Sequence, residues 1–159
     1  MPDRSEVTRT YVKTFPNPAP GAEISITPSG MGYWRILSLL FTFTTSVVVA
    51  ARRPSLAATD GTTRFWRSTA PASIAASLAG DWCAYAGSPP WDGAGSPTLL
   101  PFPDGGLILP PGYRLGTITA AIDAGDQYSA IAALIEELLT GEGSTVDVPS
   151  FGYAPPRLA

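Results

Sequence analysis

The chain has 159 residues, a formal net charge of −3 and a sequence pI near 4.8. Its 17 prolines and 16 glycines, about a fifth of the residues, exclude a mostly helical protein, and a hydrophobic fraction of 45% excludes a disordered polar chain. With no histidine, one cysteine (Cys83) and one lysine (Lys13), the chain cannot build a Ser-His-Asp triad, a Cys-His dyad, a His or Cys zinc site, an internal disulfide or a phosphate-binding Gly-Lys-Ser/Thr loop.

Residues 1–30 differ from the rest. Residues 7–14 alternate β-formers with polar residues, as a strand or an extended arm does. The run Phe15-Pro16-Asn17-Pro18-Ala19-Pro20-Gly21 cannot be helical, because alternate prolines fix φ and remove amide donors. Residues 22–27 form a short strand, and Pro28-Ser29-Gly30 turns the chain into the main domain. The region reads either as a surface tail or as an arm laid on a neighbouring subunit, removable without unfolding the body.

Residues 36–51 carry no charge and are flanked by arginines. As a helix they would span only about 24 Å, short of the roughly 30 Å hydrocarbon core. Their β-branched and aromatic content favours two strands joined near Thr44 to Ser46. Leu37, Leu39, Phe41 and Phe43 should share one face, and the second strand should run over residues 47–54. Asp60-Gly61 predicts a hairpin with a type I′ turn. Residues 68–78 are a crossing segment, and 78–86 are a strand bearing Trp82 and Cys83. A Pro/Gly-rich loop, 87–104, holds Trp91. Strands follow at 105–109 and 113–122, with Pro110-Pro111-Gly112 between them and a turn at Asp123-Ala124-Gly125-Asp126. The spacing of Tyr128, Ile131, Ile135 and Leu138 reads locally as a helix capped by Asp126. Residues 140–159 form an extended tail. Short strands about ten residues apart predict an antiparallel sandwich or barrel.

No constellation supports catalysis. Asp81, Asp92 and Asp104 are turn residues about the Trp91 loop, not a spaced carboxylate pair. Asp60, Asp123 and Asp126 could offer oxygen ligands to Ca²⁺, but turn formation explains them better. Trp66 and Trp82 belong to a core, Cys83 is a buried small residue, and Trp91 is the exposed aromatic. Arg52, Arg53, Arg64 and Arg67 come together if their strands pair, and they then either hold acidic patches on a partner or guard a sheet edge.

The series Trp34-Arg35-Ile36-Leu37-Ser38, Thr42-Phe43-Thr44-Thr45-Ser46, Arg52-Arg53-Pro54, Thr59-Asp60-Gly61-Thr62, Trp66-Arg67-Ser68, Pro110-Pro111-Gly112-Tyr113-Arg114 and Gly125-Asp126-Gln127-Tyr128-Ser129 resembles, in order, small virion proteins of tailed bacteriophages. The resemblance implies a jelly-roll-like β-sandwich with residues 128–137 as its last strand, against the local helical reading. It also implies a capsid decoration (cement) or minor capsid protein that binds the major capsid protein lattice. A neck, connector or fibre-attachment protein is the alternative within that class, and a carbohydrate-binding β-sandwich is the alternative outside it.

The expectation is therefore an all-β antiparallel sandwich with an arm at 1–30, a body at 31–139 and a tail at 140–159. It is a virion component assembled in the host cytoplasm and a dimer or trimer, with no cofactor, no metal, no enzymatic activity and no nucleic-acid or membrane partner. Its expected partner-contact residues are Tyr11, Phe15, Pro16 and Pro18 in the arm, Arg52, Arg53 and Trp91 in the body, and Phe151 and Tyr153 in the tail.

Overall fold

Among the residues that the computed structural model describes (7–30, 32–87 and 97–139), ten strands and no helix account for the regular structure. They are β1 Val7–Thr14, β2 Ser25–Ile26, β3 Tyr33–Thr44, β4 Arg53–Thr59, β5 Arg64–Thr69, β6 Ala79–Tyr85, β7 Thr98–Leu100, β8 Leu107–Leu109, β9 Arg114–Ala120 and β10 Gln127–Leu139. The larger sheet runs β1-β10-β3-β6-β7, with β8 pairing β3 beside Trp34 to Ile36. The smaller sheet runs β2-β9-β4-β5. Every pairing is antiparallel except β6 with β7.

The two sheets pack as an all-β sandwich. The larger sheet contributes Trp34, Ile36, Phe41, Phe43, Tyr128 and Ile135 to the core, and the smaller contributes Ile26, Leu56, Ala58 and Leu115. Tyr128 stacks on Phe43 with ring centroids 4.4 Å apart, and meets Phe41 edge-on at 5.5 Å.

β10 forms a strand although its residues favour helix locally. Helix propensity is worth only tenths of a kcal/mol per residue. Here both edges of the segment are hydrogen-bonded, to β1 over eight residue pairs and to β3 along its other side. The helical spacing also has a strand explanation. Ser129 pairs with Thr42 and Ala132 with Leu40, so β10 carries one extra residue at this point. Ala130 takes φ 50°, the left-handed conformation of a bulge. The bulge turns a two-residue step into the three-residue step from Tyr128 to Ile131, after which Ile131, Ala133 and Ile135 alternate inward.

A second bulge corrects the expected face of β3. Leu134 pairs with Ser38 and Ile135 with Ile36, leaving Leu37 as the extra residue. Trp34, Ile36 and Ser38 point inward and then Leu39, Phe41 and Phe43, so the inward phase changes between Ser38 and Leu39 and Leu37 does not share the face of Leu39.

Three further expectations change. Residues 47–51 are not a strand, and Arg52 makes only an isolated antiparallel bridge to Ile74. Residues 47–51 form a loop whose Val47, Val48 and Val49 are exposed, and the Arg52 guanidinium takes up the carbonyls of Val48 and Ala50. The β4–β5 connection is four residues long rather than a two-residue type I′ turn. Asp60 Oδ1 accepts the amides of Thr62 (2.8 Å) and Thr63 (2.6 Å), and only Gly61 has positive φ. Finally, the described part of residues 1–30 is not a free arm. β1 is the edge strand of the larger sheet, Phe15 N–H donates to the Ile131 carbonyl, and Ile24 and Ile26 are core residues. A boundary at residue 30 therefore divides one packed unit.

Candidate functional site: the arginine face of the smaller sheet

Strand alternation sets Leu56, Ala58, Leu115, Thr117 and Thr119 toward the core. The intervening positions face away from the larger sheet, and cross-strand register arranges them in rows. Thr59 pairs with Arg64 on one side and with Arg114 on the other. Ala57 pairs with Gly116 and Arg67, and Arg53 pairs with Ala120. Directly opposed side chains lie about 5 Å apart at Cβ, so Arg64 and Arg114 flank Thr59. Four exposed arginines, Arg53, Arg64, Arg67 and Arg114, thus share one face of a chain whose net charge is −3.

Two of the four are engaged. Arg53 Nε donates to the Ala70 carbonyl at 2.7 Å, and Arg67 Nη2 reaches Ser55 Oγ at 3.3 Å. Among the described residues the ion pairs are Arg35–Glu136 and Arg52–Asp126, so Arg64 and Arg114 have no carboxylate partner there.

A cavity of about 450 Å³ opens on this face, with Arg64 and Arg114 at one end and Glu23 at the other. Its floor is low because Ala57 and Gly116 are small. A Cβ on Gly116 would stand 2.5 Å from the Ile24 carbonyl oxygen, so only glycine lets β2 approach β9 here. Glu23 is fixed by Thr119, whose amide and hydroxyl both donate to its carboxylate. Ile24 N–H donates to Thr117 Oγ1 at 2.8 Å.

The structure distributes the expected contact residues unevenly. Arg53 lies on the arginine face with Arg64 and Arg67, but Arg52 does not. Arg52 is fully buried, with Nε 3.0 Å from Asp126 Oδ2, so it cannot reach a partner. Burial alone would raise the Asp126 carboxyl. The amides of Ser46 and Asp123 and the Arg52 guanidinium outweigh burial and hold it below the ordinary range. Tyr11 and Phe15 are half-buried against the core, Pro16 is exposed, and Pro18 is half-buried with its carbonyl accepting from Gln127 Nε2. Trp91, Phe151 and Tyr153 lie outside the described residues, as does Asp92.

Of the carboxylates weighed for Ca²⁺, Asp123 and Asp126 meet at Ser46, but Asp60 does not join them. Asp126 sits by Arg52, at the start of β4, and Asp60 follows the other end of that strand. Asp81 accepts from Thr42 Oγ1 at 2.6 Å, and Asp104 is exposed in a turn. Trp82 and Cys83 are buried, and burial pushes the Cys83 thiol up. Trp66 is half-buried, edge-on to Phe102 at 5.5 Å. Trp34 is fully buried and donates to Glu137 at 3.2 Å.

Arg114 is the residue that the sequence reading missed. It belongs to this face only because β9 pairs with β4, some 55 residues earlier in the chain, and nothing local to Tyr113-Arg114-Leu115 reveals that register.

No family model, curated protein or solved structure matches the chain. Among the described residues, no helix is long and apolar enough to cross a membrane.

Proposed function

We propose that this chain is a structural protein of a bacteriophage virion, a capsid decoration or minor capsid protein that stabilises the head by docking on the major capsid protein lattice. The observation that carries the reading is the arginine face: four exposed arginines on one side of a sandwich whose overall charge is negative. Such segregation serves electrostatic recognition of an acidic protein surface, through bidentate guanidinium–carboxylate contacts.

The strand order supports the architecture that goes with this role. Counting β6 to β8 as one position, the sheets are ordered 1-8-3-6 and 2-7-4-5. That interleaving is how a jelly roll distributes two Greek keys between its sheets. Fold alone does not give function, so the weight rests on the charged face. A virion location and a dimeric or trimeric state belong to the same proposal.

Mass spectrometry of purified particles with copy counting tests it. Hundreds of copies per particle are expected for a decoration protein. A dozen or fewer would move the chain to the neck or a fibre attachment, and absence from particles would end the virion reading.

A further inference from the structure

We infer that the Arg64–Thr59–Arg114 row is a carboxylate clamp, and that the cavity it closes takes an acidic peptide segment of a protein partner. The inference rests on the proposed docking role of this face and assigns its recognition chemistry.

Three features of the cavity converge on such a ligand. First, Arg64 and Arg114 are the direct cross-strand neighbours of the same residue, Thr59, and both line the cavity. The two arginines flank one sheet position from neighbouring strands, and each guanidinium carries the N–H fork that a carboxylate accepts. Among the described residues neither has an acidic partner to occupy those donors. Elsewhere in the same chain Arg35 and Arg52 each take one.

Second, the cavity has depth. Ala57 and Gly116 make a floor without long side chains in the row next to the clamp, and the segment from Glu23 to Ser25 forms a wall. A volume of about 450 Å³ holds several side-chain-sized groups rather than a single ion.

Third, the far end is negative. Glu23 bonds Thr119, which lies five residues along β9 from Arg114, roughly 16 Å at strand rise. A continuous run of phosphates laid along the cavity would meet this carboxylate. A peptide places an acidic side chain between Arg64 and Arg114 and need carry no charge past Glu23, whose two carboxylate oxygens already accept from Thr119. The bipolar cavity therefore favours an acidic protein segment over nucleic acid.

The test uses the full chain, with a capped hexaglutamate peptide as probe and backbone amide NMR shifts as readout. The expected result is saturable shifts centred on Ala57, Thr59 and Gly116. Arg64→Ala/Arg114→Ala should weaken binding at least tenfold, whereas Arg9→Ala, on the opposite sheet, should leave it within twofold. Arg64→Lys/Arg114→Lys retains the charge and loses the forks, and should also weaken binding. Unchanged Thr59 and Gly116 amides, or an equal loss in Arg9→Ala, would overturn the clamp. Stronger binding of inorganic phosphate or of a single-stranded oligonucleotide at the same amides would overturn the assignment to a protein carboxylate. Particle incorporation separates the two levels. If the double alanine variant enters virions at full copy number, the clamp fails and the virion reading stands. If the wild-type chain is absent from virions, the virion reading fails whatever the peptide does.

Discussion

Arg52 and Asp126 form an ion pair 3.0 Å apart in which both side chains are completely buried. The pair joins the loop after β3 to the turn before β10. Asp126 also accepts the Ser46 amide at 2.7 Å and the Asp123 amide at 2.8 Å. Arg52 also donates to Ser46 Oγ and to the carbonyls of Val48 and Ala50. Its donors thereby hold a loop whose tip is three exposed valines. Removing one partner leaves the other charge buried and unpaired, at a cost of about 3–5 kcal/mol. Asp126→Ala should therefore lower the melting temperature by roughly 10 °C. Arg52→Met/Asp126→Leu, which removes both charges, should recover much of that loss. Differential scanning calorimetry of the two variants checks the order, and equal melting temperatures for Asp126→Ala and wild type would refute the role of the pair.

The same pair sets an acid limit on stability. The Asp126 carboxyl is held below its ordinary value in the folded chain, so the folded state binds a proton less readily than the unfolded state. Its contribution is fully present above the unfolded carboxyl value of about 3.9 and is lost as the pH falls through the lower folded value. Asp60, whose carboxyl is lowered by the amides of Thr63 and Thr62, acts in the same direction. Urea midpoints should be flat from pH 7 to pH 5 and should fall steeply below about pH 4. In Asp126→Asn the fall should be shallower. An identical acid slope in that variant would assign the effect to other groups.

Much of the sandwich was legible in the sequence because its signals are local. Alternation marked β3 and β9, and Pro110-Pro111-Gly112 marked the turn between β8 and β9. What misled were places where one inserted residue shifts the phase. The bulge at Ala130 converts strand alternation into helix-like spacing, and the bulge at Leu37 moves Leu37 off the face of Leu39. Arg52 misled for another reason. Next to Arg53 it reads as one of two surface charges, yet its partner Asp126 is 74 residues away. The arginine face was half visible, since Arg53, Arg64 and Arg67 lie on consecutive strands. Arg114 joins it through a long-range register that no local pattern encodes.

Ala130 offers a stabilising change. An alanine at φ 50° carries a left-handed conformational cost of about 1 kcal/mol, which glycine does not. Ala130 is exposed, so glycine removes no core contact. Ala130→Gly should raise stability by roughly 0.5 kcal/mol even after glycine's greater unfolded-state entropy is counted. Ala132→Gly, two residues on in regular strand, should lower it by about 1 kcal/mol. Chemical denaturation of both variants measures the contrast. A loss of stability in Ala130→Gly would mean that the bulge is not where β10 stores its strain.

Deleting residues 1–21 tests whether the N-terminal segment is an attachment or part of the body. β1 covers one edge of β10, Tyr11 and Phe15 pack on the core, and Lys13 Nζ lies 4.6 Å from the centre of the Trp34 ring. Removing the segment uncovers the β10 edge and exposes Trp34. Loss of the apolar contacts of Tyr11 and Phe15 alone costs about 3 kcal/mol. The truncated chain should unfold at lower urea with a smaller m-value, since less surface remains to be exposed. It should also self-associate through its bared strand edge. An arm laid on a neighbouring subunit predicts the opposite, a body indifferent to truncation. Retention of the full urea midpoint would restore that reading. A fall in the midpoint would mean that weaker particle binding by the truncated chain reports unfolding of the body and not the loss of a contact arm. The arginine-face variants would then be the cleaner probe of docking, because Arg64 and Arg114 are exposed and bear no part of the core.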